Sequence, residues 1–221
     1  MQLDILRLRR VVAAASLVTA TGLALAGCAT GTAPASLSTP TASAALSTPA
    51  ATGSAVSTPA SDVPSGAFDA AVGLIVERLD TAPQVAASKL FSGQPVTDPA
   101  REQVVLDTAA AAAQQAGADP EYVRSVFTDQ IAASKQVQQS LLDQWAAASA
   151  AAPTSAPDLA TEVRPILDRI STELVPALAA VQQYRSDPGC AGALAASLAA
   201  VTPSTPEVAA ALPAATAHLC S

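Results

Sequence analysis

The run Asp119-Pro120-Glu121-Tyr122-Val123-Arg124-Ser125-Val126-Phe127-Thr128-Asp129-Gln130-Ile131 decides the fold class. An aspartate before a proline is a helix start: the acid caps the first free N–H groups, and the proline gives up an N–H that would have no partner there. From Phe127 the pattern continues through Ile131, Ser134, Gln138, Leu141 and Trp145 at steps of 4, 3, 4, 3 and 4, the period of an α-helix. A helix over about 120–150 is expected, with two polar residues, Ser134 and Gln138, set into its apolar stripe. Trp145 reads as a core anchor.

Working outward, the same signals recur. Asp98-Pro99 starts a preceding helix that Gly117 ends. Phe68, Ala71, Ile75 and Arg78 are spaced as an earlier amphipathic helix, after which Pro83 breaks, kinks or restarts the chain. Pro153 and Pro157 mark a connection. A further helical stretch is expected over 158–184, kinked near Pro176, and two short Ala-rich helices fill 190–220. The composition agrees: 221 residues are half hydrophobic but only 3% aromatic, poor in the residues that build β-sandwiches or barrels. The expectation is an all-α body of five to six helices.

The first residues belong to another task. Arg7, Arg9 and Arg10 precede an uncharged apolar stretch at 11–26, the layout of an export signal and too short for a comfortable membrane span. Leu25-Ala26-Gly27-Cys28 resembles the lipobox of bacterial lipoproteins, whose cysteine is acylated. The alternative is an ordinary cleaved signal that leaves Cys28 unmodified. Residues 29–61 carry no charge and repeat Ser-Thr-Pro at 38–40, 47–49 and 57–59, so they cannot build a core. The organisation expected is a lipoprotein-type signal over 1–27, a Ser/Thr/Pro/Ala-rich tether over 28–65 and a helical domain over 66–221. After export, Cys190 and Cys220 meet an oxidising compartment. A disulfide between them is expected, closing a loop of about 30 residues, against the alternative of two buried thiols.

Charge narrows the function. Once the three basic residues and one acidic residue of 1–27 are removed, 11 basic and 18 acidic residues become 8 and 17, a net of −9. Nucleic acid is a poor partner for such a chain. One histidine, His218, and three cysteines are too few for a zinc or iron–sulfur site and weaken any histidine-dependent hydrolase. His218 reads as a surface or boundary residue, and Arg124, Lys135 and Arg185 as solvated charges. Arg78, Lys89 and Arg101 lie on or near apolar helical faces; with Ser134 and Gln138 they point to a polar cavity inside the bundle that suits a small anion.

These residues resemble the all-helical chorismate mutases, in particular the exported bacterial class with a C-terminal disulfide. The resemblance covers about 66–220. It rests on Glu77-Arg78-Leu79, Lys89, Asp98-x-x-Arg101-Glu102, the run from Asp119 to Ile131, and Ser134 with Gln138. It implies rearrangement of chorismate to prephenate without cofactor, metal or covalent intermediate. It further implies that Arg78 binds a substrate carboxylate, and that Lys89 and Gln138 donate to the ether oxygen. Arg101 would face the site, Asp98 and Glu102 would lie near the substrate hydroxyl, and Ser134 would hydrogen-bond the ligand. The second carboxylate needs its own cation. Arg164 is favoured and Arg169 is its rival, about 140° away on the same helix. Val105 stands where exported relatives can carry a polar residue.

Two other functions stay open: an isochorismate–pyruvate lyase on the same fold, and a non-catalytic envelope lipoprotein that binds an anionic metabolite. A membrane partner is expected through lipidated Cys28. The residues leave the oligomeric state open, although members of the exported class are homodimers with each site formed inside one chain.

Overall fold

The computed structural model describes residues 62–221. The expected leader, Cys28 and the tether up to residue 61 lie outside the described residues. Asp62 and Val63 already pack with the helical body: Asp62 N donates to Asp187 Oδ2 at 3.3 Å, and Val63 lies against the core.

The described residues are all helical, with no strand: α1 Asp69–Leu79, α2 Ala82–Ser92, α3 Pro99–Ala116, α4 Pro120–Ala146, α5 Arg164–Val181, α6 Cys190–Ala200 and α7 Pro206–Ala215. Asp80 and Thr81, between α1 and α2, keep right-handed helical backbone angles, so the first two helices are one stretch with a two-residue break, and seven segments amount to six. Pro83 sits in the first turn of α2, where its missing N–H costs nothing.

The two Asp-Pro starts behave as their chemistry dictates. Asp98 Oδ1 accepts from Arg101 N at 3.1 Å, while Glu102 Oε1 accepts from Asp98 N at 3.2 Å, a reciprocal cap. Asp119 Oδ1 accepts from Glu121 N at 3.0 Å. Gly117, at φ +70°, ends α3 in the left-handed conformation that glycine adopts most cheaply. α4 stops at Ala146, a few residues before the expected 150, and Ala148 turns the chain with φ +52°.

α4 is the central element: it packs on α7, α3 and α2, while α5 crosses α1 and α3. Its core face is Val123, Val126, Phe127, Ala133, Val137 and Leu141, all buried, joined by Gln130, whose amide donates to Ala215 O. The stripe chosen from sequence runs beside this face. Of its six residues, Phe127, Gln138 and Leu141 are buried, and Ile131, Ser134 and Trp145 only partly so.

The stretch expected over 158–184 is irregular at its ends, and α5 runs through Pro176. Pro165 has no N–H, so a four-residue hydrogen-bond ladder cannot pass through it. The chain widens just before that point into a π-helical turn, Leu159–Val163, with Arg164 N donating to Leu159 O. A 3₁₀ turn, Gln182–Tyr184, follows α5. Cys190 and Cys220 form a disulfide with a Cα–Cα distance of 5.8 Å, tying the start of α6 to the end of the chain. A loop of this length contributes on the order of 3 to 4 kcal/mol.

Candidate active site

A cavity of about 650 Å³ opens between α2, the loop 93–98, the first turn of α3, the middle of α4 and the π turn that leads into α5. Arg78, Lys89, Asp98, Arg101, Glu102, Ser134, Gln138 and Arg164 all line it. Every substrate-facing residue named from the sequence is therefore on one wall or another of a single cavity. Arg169 is not: it pairs with Glu77 and, at 2.8 Å, with Glu173.

Helix geometry explains the convergence. Arg78 is in the last turn of α1, just before the break, and Lys89 is in the last turn of α2, at the negative end of the helix dipole. Ser134 and Gln138 are four residues apart and share one face of α4. The π turn presents Leu159 and Val163 to the cavity, and Arg164 and Leu167 continue that face along α5.

The polar groups are held, but mostly by neutral partners. Arg78 is half-buried; its Nη1 donates to Ser171 Oγ at 3.3 Å, and its guanidinium lies 5.7 Å from the centre of the Phe127 ring. Burial lowers the Arg78 pKa to about 10, which still leaves it charged at neutral pH. Lys89 Nζ donates to Pro95 O and to Val96 O, the latter at 3.2 Å. Burial holds the Lys89 ammonium below the ordinary lysine range; Asp98 and Glu102 pull it back up, and Arg101 pushes it down. Gln138 is buried, its Nε2 donates to Ser134 Oγ at 3.0 Å, and its Oε1 has no hydrogen-bond partner among the described residues. An amide carries two N–H groups, so one remains for a ligand.

The distribution of ion pairs separates the eight cations into two sets. Arg124 pairs with Asp107 at 2.9 Å, Lys135 with Glu102 at 2.8 Å, Arg169 with Glu77 and Glu173, and Arg185 with Asp119 at 3.4 Å. Among the described residues Arg78, Lys89, Arg101 and Arg164 form no ion pair, and these four line the same cavity. Asp98 lines the cavity as well and Glu102 is held by Lys135, so the cations outnumber the carboxylates around this void, an arrangement that suits an anion.

The family model for chorismate mutase type II matches residues 69–139. A secreted chorismate mutase of Mycolicibacterium smegmatis is 40% identical over 114 residues, 52% of this chain and 62% of that protein. Its counterpart from Mycobacterium tuberculosis is 32% identical over 118 residues, 53% of this chain and 59% of that protein. The chain thus spans about three-fifths of the length of these curated relatives. The crystal structure of a chorismate mutase from Burkholderia thailandensis superposes with a TM-score of 0.66 at 40% identity, covering 70% of this chain and 99% of that one. The chain belongs to the chorismate mutase family. Within this chorismate mutase domain, Arg78, Lys89, Asp98, Arg101, Glu102, Ser134 and Gln138 fall inside the matched segment, while Arg164 lies beyond it.

Three features of the chorismate mutase site differ from the sequence reading or were missed by it. Lys135 is not simply solvated: it lines the cavity and its ammonium holds Glu102, which lowers the Glu102 pKa chiefly through that hydrogen bond. Arg124 and Arg185 are ion-paired as well, and Arg185 also lies over the Tyr122 ring at 4.3 Å. Ser171 and Phe127, which hold Arg78, were not among the site residues expected. Ser171 follows Arg164 by seven residues, two helical turns, so the two share a face of α5, but nothing local marks it as a partner of Arg78. Val105 lines the cavity, an apolar wall close to Arg101. His218 sits at the boundary as expected, half-exposed, with Nδ1 2.9 Å from the Asp129 carboxylate.

Proposed function

We propose that the protein catalyses the rearrangement of chorismate to prephenate outside the cytoplasm. The observation that carries this reading is the set of four unpaired cations around one cavity of about 650 Å³ that also holds Gln138. Chorismate is a dianion whose enolpyruvyl side chain must fold over the ring. In one concerted step the ether C–O bond breaks and a C–C bond forms, with no proton transferred and no nucleophile needed.

Arg78 grips one carboxylate, a task suited to a planar group with paired donors, and Arg164 grips the other. Fixing both ends restricts the side chain to the reactive conformer. Lys89 and the free N–H of Gln138 donate to the ether oxygen as it gains negative charge, and donors that strengthen in the transition state lower the barrier. Arg101 adds positive potential at the cavity rim. Asp98 and Glu102 accept from the ring hydroxyl, and Ser134 holds Gln138. A barrier reduction of about 8 kcal/mol is the lower range for enzymes, and each preorganised donor contributes roughly 3 to 4 kcal/mol, so two donors with conformational restriction suffice. All the residues assigned these roles belong to one chain.

The relatives named as secreted, and the basic and apolar leader, support export. Acylation at Cys28 and a tether over 28–65 would hold the domain off a membrane. The membrane fraction of wild-type cells should contain the protein, and Cys28→Ala should release it to the soluble fraction; an unchanged distribution refutes the anchor. The catalytic reading is tested by following the ultraviolet absorbance of chorismate with the purified protein and identifying the product. Prephenate is expected. Pyruvate release from isochorismate, or protection without turnover, would overturn it.

A further inference from the structure

We infer that Ser171 is a positioning residue of the site, whose hydroxyl fixes the Arg78 guanidinium and with it the spacing between Arg78 and Arg164. The inference rests on the reading of Arg78 as the donor to a substrate carboxylate.

The hydroxyl has one proton and two lone pairs. Its proton goes to Leu167 O, one turn back on α5, at 2.7 Å, so toward Arg78 the oxygen can only accept, and Nη1 approaches it at 3.3 Å. An arginine held this way keeps its full charge, because a hydroxyl and the Phe127 ring orient the guanidinium without neutralising it. Arg169 shows the contrast: its two carboxylate partners satisfy it, and it takes no place on the cavity wall.

Ser171 also sits on the element that carries Arg164, seven residues away and therefore on nearly the same face of the helix. The Arg78 to Ser171 contact thus ties α1 to α5 at the level where the two proposed carboxylate donors must match the span of one dianion. The neighbouring residues of these helices, Glu77 and Arg169, form a second tie on the exposed side. That outer link is charged and solvated, so it contributes little to precise placement. Ser171 and Phe127 line a second cavity of about 670 Å³ between α3 and α5; of the hydroxyl and the ring that orient the Arg78 guanidinium, removing the hydroxyl leaves the ring.

The test is steady-state kinetics of the full protein with chorismate, together with thermal midpoints. Ser171→Ala should lower kcat/KM about tenfold, the scale of a hydrogen bond to a charged group, with the midpoint within a degree or two of wild type. Ser171→Thr, which keeps the hydroxyl, should stay within about twofold of wild type. Ser171→Asp, which gives Arg78 a counter-ion, should lower kcat/KM further than alanine does, mainly through KM. In an Arg78→Ala background, Ser171→Ala should add no further loss. The inference is overturned if Ser171→Ala stays within twofold of wild type while Arg78→Ala is severely impaired, or if Ser171→Ala costs the same tenfold with Arg78 absent. If instead Arg78→Ala turns over chorismate normally, the reading of Arg78 itself has failed, and that outcome is distinct from the other two.

Discussion

Lys89 and Gln138 are the two side chains whose chemistry the proposed reaction uses most directly, and both can be probed by pH. Burial, reinforced by Arg101, lowers the Lys89 pKa despite the opposing pull of Asp98 and Glu102. Its positive charge is therefore lost at lower pH than in an ordinary lysine, and the alkaline limb of kcat/KM should fall below the usual lysine range. Lys89→Arg should move that limb to higher pH, because a guanidinium holds its proton more tightly than an ammonium and loss of the Arg78 charge near pH 10 then sets the limit. Gln138 donates from an amide at any ordinary pH, whereas a carboxyl donates only when protonated. Gln138→Glu should therefore shift the optimum toward acid, and a profile identical to wild type would show that this side chain does not face the ether oxygen. Arg164 and Arg169 can be separated by substitution: Arg164→Ala should raise KM tenfold or more, and Arg169→Ala should leave it within about twofold, as measured by initial rates. The opposite ranking would exchange their roles.

At the scale of elements, capping explains both the stability of the bundle and what the sequence could disclose about it. Asp119 caps α4 and also meets Arg185 at 3.4 Å. Asp119→Ala should cost about 1 kcal/mol, a fall of roughly 2 to 4 °C in a calorimetric midpoint for a domain of this size, with kcat/KM unchanged. The starts of α3 and α4 were legible because Asp-Pro has one dominant local meaning, and the pair Ser134 and Gln138 because polar residues in an apolar stripe are conspicuous. The register around Arg164 was harder to read. Pro165 interrupts the ladder, the π turn shifts the helical phase by a residue, and periodicity alone cannot tell which arginine faces inward. Ser171 left no mark, because a serine on a helix is unremarkable until its partner across the bundle is known. Lys135 was misread for a related reason: its acid, Glu102, is 33 residues away in sequence. Tertiary pairings of that kind have no local signature.

For the molecule as a whole, the disulfide and the site occupy different parts of the chain. Cys190 and Cys220 staple α6 to the C-terminal end, while the cavity is built from residues 78–167. Reducing the bond should therefore lower the midpoint by on the order of 10 °C, from the 3 to 4 kcal/mol attributed to loop closure. At a temperature where the reduced protein stays folded, kcat/KM should match that of the oxidised form. A large loss of activity without unfolding would mean that α6 and α7 shape the cavity.

The four unpaired cations are embedded in a body whose described residues carry 8 basic and 17 acidic side chains. A dianion approaching from afar meets repulsion, and attraction takes over only near the mouth of the cleft. Dissolved salt damps distant fields before near ones, with a screening distance of about 10 Å at 0.1 M. Encounter should consequently be no slower, and in dilute buffer even accelerated, when ionic strength rises from 0.01 to 0.15 M, opposite to the behaviour of a uniformly basic catalyst. Such an enzyme is suited to surroundings whose salinity it does not control.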